Sequence, residues 1–141
     1  MDARDPLGAF NFDVTIGDAV VGFAEISGLG CEIRYEDEVV ESQTERDSGP
    51  HATVTPVHLR RGVTGDRILW SWVESAIEGT DDPRTVTVTL LDATRNPVCS
   101  WVLSNARPTH YFGPHLVADA PAPAIEEIVL SAEFIAFRPS L

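Results

Sequence analysis

Thr85-Val86-Thr87-Val88-Thr89-Leu90 alternates hydroxyl and aliphatic side chains without a break. Successive side chains on a strand point to opposite faces, so this run buries one complete face only if it is extended, whereas a helix would scatter its valines around the axis. β-Branched residues at every position but the last strengthen the same choice. A second run repeats the rule, with Phe10, Phe12, Val14 and Ile16 against Asn11, Asp13 and Thr15, and Gly17-Asp18 then turns the chain into a segment resuming from Val20 to Ile26. These two runs are expected to form a hairpin. Cys31, Ile33 and Tyr35 alternate with Glu32, Arg34 and Glu36, and the pattern weakens through Glu41. That predicts a long third strand whose charged end is either a solvated edge or a hairpin projecting from the domain.

Further along, Val54 to Arg61 reads as a strand with Val57 and Leu59 on one face, and Pro56, lacking an N–H, implies an edge or a bulge. Asp92 to Pro97 turns the chain into Val98 to Leu103, where Cys99, Trp101 and Leu103 share a face, a second expected hairpin. Ile125 to Phe137 reads as one strand apolar on both sides, with Ile128, Leu130, Ala132 and Phe134 against Val129, Ile135 and Phe137. Such a strand is covered on both faces, by the helix, a second sheet or another subunit. Residues 1–8 read as an arm, 41–52 as a mobile loop, and Ser104 to Pro123, interrupted by prolines, as irregular.

A single segment breaks the period of two. Ile68, Leu69, Trp72, Val73, Ala76 and Ile77 form a stripe at the helical period, predicting a helix over about residues 66–78. Thr64 or Asp66 can cap its start and Gly79 stands where a left-handed C-terminal residue belongs. Trp70 falls off the stripe, either at the helix flank against its own domain or toward a partner. The 141 residues suffice for a single domain with a real core.

Charge excludes several functions. Acidic residues number 22 against 10 basic ones, a net charge of −12, and every basic side chain is arginine. No nucleic acid or anionic membrane would be bound through a basic surface. A lysine-free acidic chain points to a GC-rich genome or to a high-salt cytoplasm, where self-repulsion is screened. No apolar run is long enough to span a membrane and no Sec-type leader opens the chain, so a soluble protein is expected. Cys31 and Cys99 read as buried small hydrophobes. His51, His58, His110 and His115 show no ligand spacing; His110 and His115 would carry the alternative of a small metal-dependent β-barrel enzyme. No nucleophile elbow, phosphate loop or paired carboxylates occur, so no enzymatic activity, metal or cofactor is expected.

Six ordered strings carry a resemblance. They are Asp5-Pro6-Leu7-Gly8-Ala9-Phe10-Asn11-Phe12, Val21-Gly22-Phe23-Ala24-Glu25-Ile26-Ser27-Gly28-Leu29, the stretch Leu59 to Gly79 with Arg61-Gly62 and Trp72, Val88 to Asp92, Trp101 to Pro114, and Ile125 to Leu130. Together they resemble the tail tube proteins of contractile phages and phage-tail-like contractile injection systems. The resemblance implies an antiparallel β-barrel or sandwich with one packed helix, similar to the haemolysin-coregulated protein of type VI secretion. It also implies an inner-tube subunit in stacked hexameric rings, partnered by sheath, baseplate or spike and cap proteins, with DNA or protein cargo in the lumen and no membrane. Such a subunit would be assembled in the cytoplasm and carried in a virion tail or injection particle. Tyr35, Glu36, Asp37, Glu38, Glu41, Glu45, Arg46 and Asp47 are then expected to contact the next ring, and Ile128, Val129, Leu130, Glu133, Phe134 and Ile135 to form an inter-subunit strand. Thr85, Thr87 and Thr89 would face the lumen, and the acid excess would make that lumen negative. One departure, the short acidic run from Glu41 to Val57, leaves open a baseplate tube-initiator paralogue.

Overall fold

A computed structural model describes residues 7–8, 11–35 and 50–139. In chain order its elements are β1 (Phe12–Ile16), β2 (Ala19–Val21), β3 (Glu25–Ser27), β4 (Cys31–Arg34), β5 (His51–Val54), β6 (Val57–Gly62), α1 (Ile68–Ile77), β7 (Arg84–Leu91), β8 (Pro97–Phe112), β9 (Ile125–Ser131) and β10 (Phe134–Pro139). All strand pairings are antiparallel. The main sheet runs β2-β1-β7-β8-β9-β6-β3 with β10 also on β8, and β4 and β5 make a separate two-stranded ribbon. Val14 and Val21 from one end of this order meet Leu59 and Ile128 from the other in a single core, so the sheet curls around it.

The threonine-valine run becomes β7, with Val86 and Val88 buried. Both expected hairpins form, β1 with β2 across Gly17-Asp18 and β7 with β8 across Asp92 to Asn96. The helix closes the core with Leu69, Trp72 and Val73, and Asp66 accepts the Ile68 N–H at 3.0 Å just ahead of it. Gly79 ends it at φ 85°, a conformation that lacks a Cβ penalty only in glycine. The stripe is shorter than its sequence suggests, since Ala76 and Ile77 emerge into solvent.

Several expectations are corrected. Ser104 to Phe112 is no loop: β8 runs on for 16 residues, and Pro108 is accommodated at a register shift between Pro108 and His110. Ile125 to Phe137 is two strands, separated at Ala132-Glu133, where the Glu133 N–H donates to the Ser104 carbonyl. Val54 to Arg61 also divides, around Thr55-Pro56, and β6 is no edge because β3 and β9 flank it. Val20 to Ile26 splits into β2 on β1 and β3 on β6. His51 and Ala52, expected within a loop, lie in β5. Cys31 is exposed and only Cys99 is buried.

Candidate assembly surfaces

Three groups of residues were expected to meet other subunits, and the fold treats them differently. Of the inter-ring group, Tyr35 stands exposed just past β4, while Glu36, Asp37, Glu38, Glu41, Glu45, Arg46 and Asp47 lie outside the described residues. The β4–β5 register pairs Arg34 with His51 at one end of the ribbon.

The inter-subunit group divides. Ile128, Val129 and Leu130 are buried in their own subunit, and β9 already has β6 on one edge and β8 on the other. No backbone edge of β9 is left to offer a neighbour. β10, by contrast, pairs only with β8 among the described residues. On it Phe134 is 61% and Phe137 57% exposed, Ile135 is half-buried, and Glu133 just before it accepts a 2.5 Å bond from Asn105 Nδ2. Sequence periodicity could not separate these strands, because both carry apolar residues on both faces.

Thr85, Thr87 and Thr89 share the side of β7 opposite Val86 and Val88. Registers extend that side across five strands, since residues directly opposite one another in a ladder share a face. One row reads Val20, Thr15, Thr87, Val102, Ala136, and the next Asp13, Thr89, Ser100, Arg138. The alternate rows, Val21-Val14-Val88-Trp101-Phe137 and Ala19-Ile16-Val86-Leu103-Ile135, turn toward the core side, where Phe137 alone stays exposed, packed on Trp101. The sheet β2-β1-β7-β8-β10 is thus a wall with one packed side and one side of mostly uncharged residues, on which Phe134, opposite Ser104, is the large exposed exception; among the described residues its outer strands β2 and β10 have no second strand partner.

Elsewhere the polar groups serve the fold. Arg61 and Glu126, 5% and 6% exposed, bond at 2.8 Å in the interior. Arg61 also grips Asp66 through both terminal nitrogens, and the Tyr111 hydroxyl donates to Glu126 at 2.5 Å. Hydrogen bonding from Arg61, joined by the Ile68 N–H, holds the Asp66 carboxyl well below the usual carboxylate range. Burial, with the bond to Glu126, pushes the Tyr111 hydroxyl up to about 12. On the outer face His58 Nδ1 lies 2.6 Å from Glu127, whose carboxyl is held below its ordinary value by that bond and by Arg60. These groups form a brace between α1, β6, β8 and β9, which no sequence pattern announced. Among the described residues no group of three or more His, Cys, Asp or Glu side chains could hold a metal ion. His110 stacks on Phe112 at 5.9 Å.

The profile of the family described as T4-like virus tail tube protein gp19 matches residues 8–135. The chain belongs to that tail tube family. Among curated protein sequences none matches. Solved structures agree with the assignment in fold. A chain of the PVC sheath–tube complex of an extracellular contractile injection system, in the extended state, superposes with a TM-score of 0.78 at 24% identity, covering 98% of this tube protein and 95% of that chain. One from the PVC sheath/tube terminator gives 0.76 at 26% identity, covering 97% and 99%. Hcp1 from Flavobacterium johnsoniae gives 0.62 at 14% identity, covering 93% and 97%. The tail tube fold is therefore mainly β and antiparallel with one helix, as the resemblance implied. The described residues include no helix long and apolar enough to cross a membrane.

Proposed function

We propose that the protein is a structural, non-catalytic subunit of the inner tube of a contractile injection particle or phage tail, six copies closing a ring and rings stacking around a continuous lumen. The observation that carries this reading is the sheet whose outer strands, β2 and β10, have no second strand partner among the described residues. An unpaired edge invites another strand, and a cyclic arrangement removes both edges at once by joining β10 of one copy to β2 of the next. Phe134 and Ile135 then sit at the junction and Thr85, Thr87 and Thr89 line the channel. Ile128, Val129 and Leu130 support the junction from the core. The β4–β5 ribbon, with Tyr35 exposed at its end, reaches the adjacent ring.

Similarity to chains of a sheath–tube complex, of a tube terminating cap and of a baseplate supports a sheath around the tube and cap and baseplate proteins at its ends. Assembly in the cytoplasm and export within the particle follow from this role, as does passage of DNA or protein cargo without sequence-specific binding.

Negative-stain microscopy with mass photometry, at low and at molar salt, tests the reading. Hexameric rings or hollow tubes are the expected result, favoured at high salt because a charge of −12 on each copy must be screened. Monodisperse monomer in both conditions would overturn it in favour of an initiator ring that needs its baseplate.

A further inference from the structure

The acid excess of this subunit is absent from the wall that would face the channel. Along the rows on that side, Val20-Thr15-Thr87-Val102-Ala136 and Asp13-Thr89-Ser100-Arg138, the only acidic side chain is Asp13. Even Asp13 is met by Arg95 at 3.1 Å, and Arg95 bonds Asn11 as well. Arg138, in the same row, is the one arginine among the described residues with no carboxylate partner; Arg34, Arg60, Arg61, Arg67, Arg84, Arg95 and Arg107 all have one. Of the other described carboxylates, Glu126 is buried with Arg61, Glu25, Glu32 and Glu127 stand on β3, β4 and β9, and the rest lie on the helix or in connecting segments. A subunit of net charge −12 therefore presents one broad face whose charges, among the described residues, are Asp13, Arg95 and Arg138.

We propose that the channel wall is close to electroneutral, a mixture of hydroxyl and apolar side chains, so that the conduit admits anionic and cationic polypeptide cargo alike. This rests on the ring reading above, with this sheet face toward the lumen. Two physical consequences follow. Fixed charges of one sign around a narrow pore focus the potential along its axis and would retard one class of cargo while holding the other. A wall of Thr15, Thr87, Thr89 and Ser100 does neither, since hydroxyl groups exchange hydrogen bonds with passing water at little net gain. The negative lumen inferred from overall composition is thereby replaced by segregation of charge to the outside, where ring stacking and sheath contacts carry the salt dependence.

The test introduces Thr87→Cys in a Cys31→Ser background, in which the one native thiol is the buried Cys99, and follows modification of the new thiol in assembled rings of the full chain. Small thiosulfonate reagents, one bearing a sulfonate and one a trimethylammonium group, are compared with their rates on a free thiol in the same buffer. The expected result is a cation-to-anion preference within roughly threefold of the free thiol, and a shift toward the cationic reagent of roughly tenfold when Arg138→Glu is added. A preference for the cation above roughly tenfold without that substitution would overturn the proposal. A thiol-reactive polyethylene glycol too bulky for the lumen separates the two readings. Slow reaction in rings and fast reaction in the isolated subunit supports the inward orientation, whereas equal rates place this face outside and overturn the inference while the ring reading stands.

Discussion

Arg61 Nε donates to Glu126 Oε2 at 2.8 Å between β6 and β9, and both side chains are almost fully withdrawn from water. Glu126 also accepts from Tyr111, so its removal strands two donors. Glu126→Ala is expected to cost about 3 kcal/mol or more, the range for breaking one side of a buried pair. Asp66→Asn, which touches the exposed flank of the same arginine, is expected to cost about 1 kcal/mol. Chemical denaturation of the two variants checks the ranking; equal losses would mean that Glu126 is not the keystone of the brace.

Stability at the extremes of pH follows from the same groups. Tyr111 has its folded pKa raised, so its contribution is whole below its unfolded value of 10.0 and is lost as pH rises through about 12. Asp66 and Glu127 have theirs lowered, so their contributions are present above the ordinary carboxylate range and disappear as pH falls below it. Melting temperature is expected to stay level at neutral pH and to decline on both sides. Tyr111→Phe should flatten the alkaline decline alone, and a decline unchanged in that variant would assign it elsewhere.

Trp72 fills the centre of the core and still finds a partner for its indole, donating from Nε1 to the Asp82 carbonyl at 2.8 Å while Arg84 lies 5.0 Å from its ring. Trp72→Phe keeps an aromatic ring but leaves that carbonyl unpaired, with an expected loss of about 2 kcal/mol. Trp70→Phe, at the half-exposed edge against Tyr111, is expected to cost less than about 1 kcal/mol. Thermal unfolding of the pair distinguishes core tryptophan from flank tryptophan.

Gly28 adopts φ 91°, and a Cβ there would stand 2.1 Å from the Pro56 carbonyl oxygen. Thr55 Oγ1 donates to the Gly28 carbonyl at 2.7 Å in the same crossing. Gly28→Ala is therefore expected to destabilise by about 2 kcal/mol or more through backbone strain and collision. Gly65→Ala, with open space around it, should be close to neutral. A difference in denaturation midpoint between the two is the readout.

Local rules carried much of this fold. The alternation at Thr85 to Leu90 located β7 and both of its faces, and the stripe from Ile68 to Val73 located the helix and its buried side. They failed where a residue's local preference was overruled by its neighbours in space. Pro108 looked like a strand breaker, yet β8 absorbs it at a bulge because β9 supplies pairing on either side of the shift. Ile128 and Phe134 looked alike in sequence; one is sealed between two strands and the other is left at an edge, a distinction that depends on strand order and not on periodicity. The brace of Arg61, Asp66, Tyr111 and Glu126 joins residues up to 65 positions apart, beyond the reach of any spacing rule.

β8 belongs to both halves of the sheet: Cys99 to Ser104 pair with β10 and, on the other edge, Pro97 to Ala106 with β7, while Arg107 to Phe112 pair with β9. A domain threaded by one such strand has no seam along which it can come apart in stages. Amide hydrogens in β7, β8 and β9 should exchange with a single protection free energy, equal to that of global unfolding, while those of the separately paired β4–β5 ribbon exchange through small local openings. The tube wall and the layer behind it would then yield together or not at all.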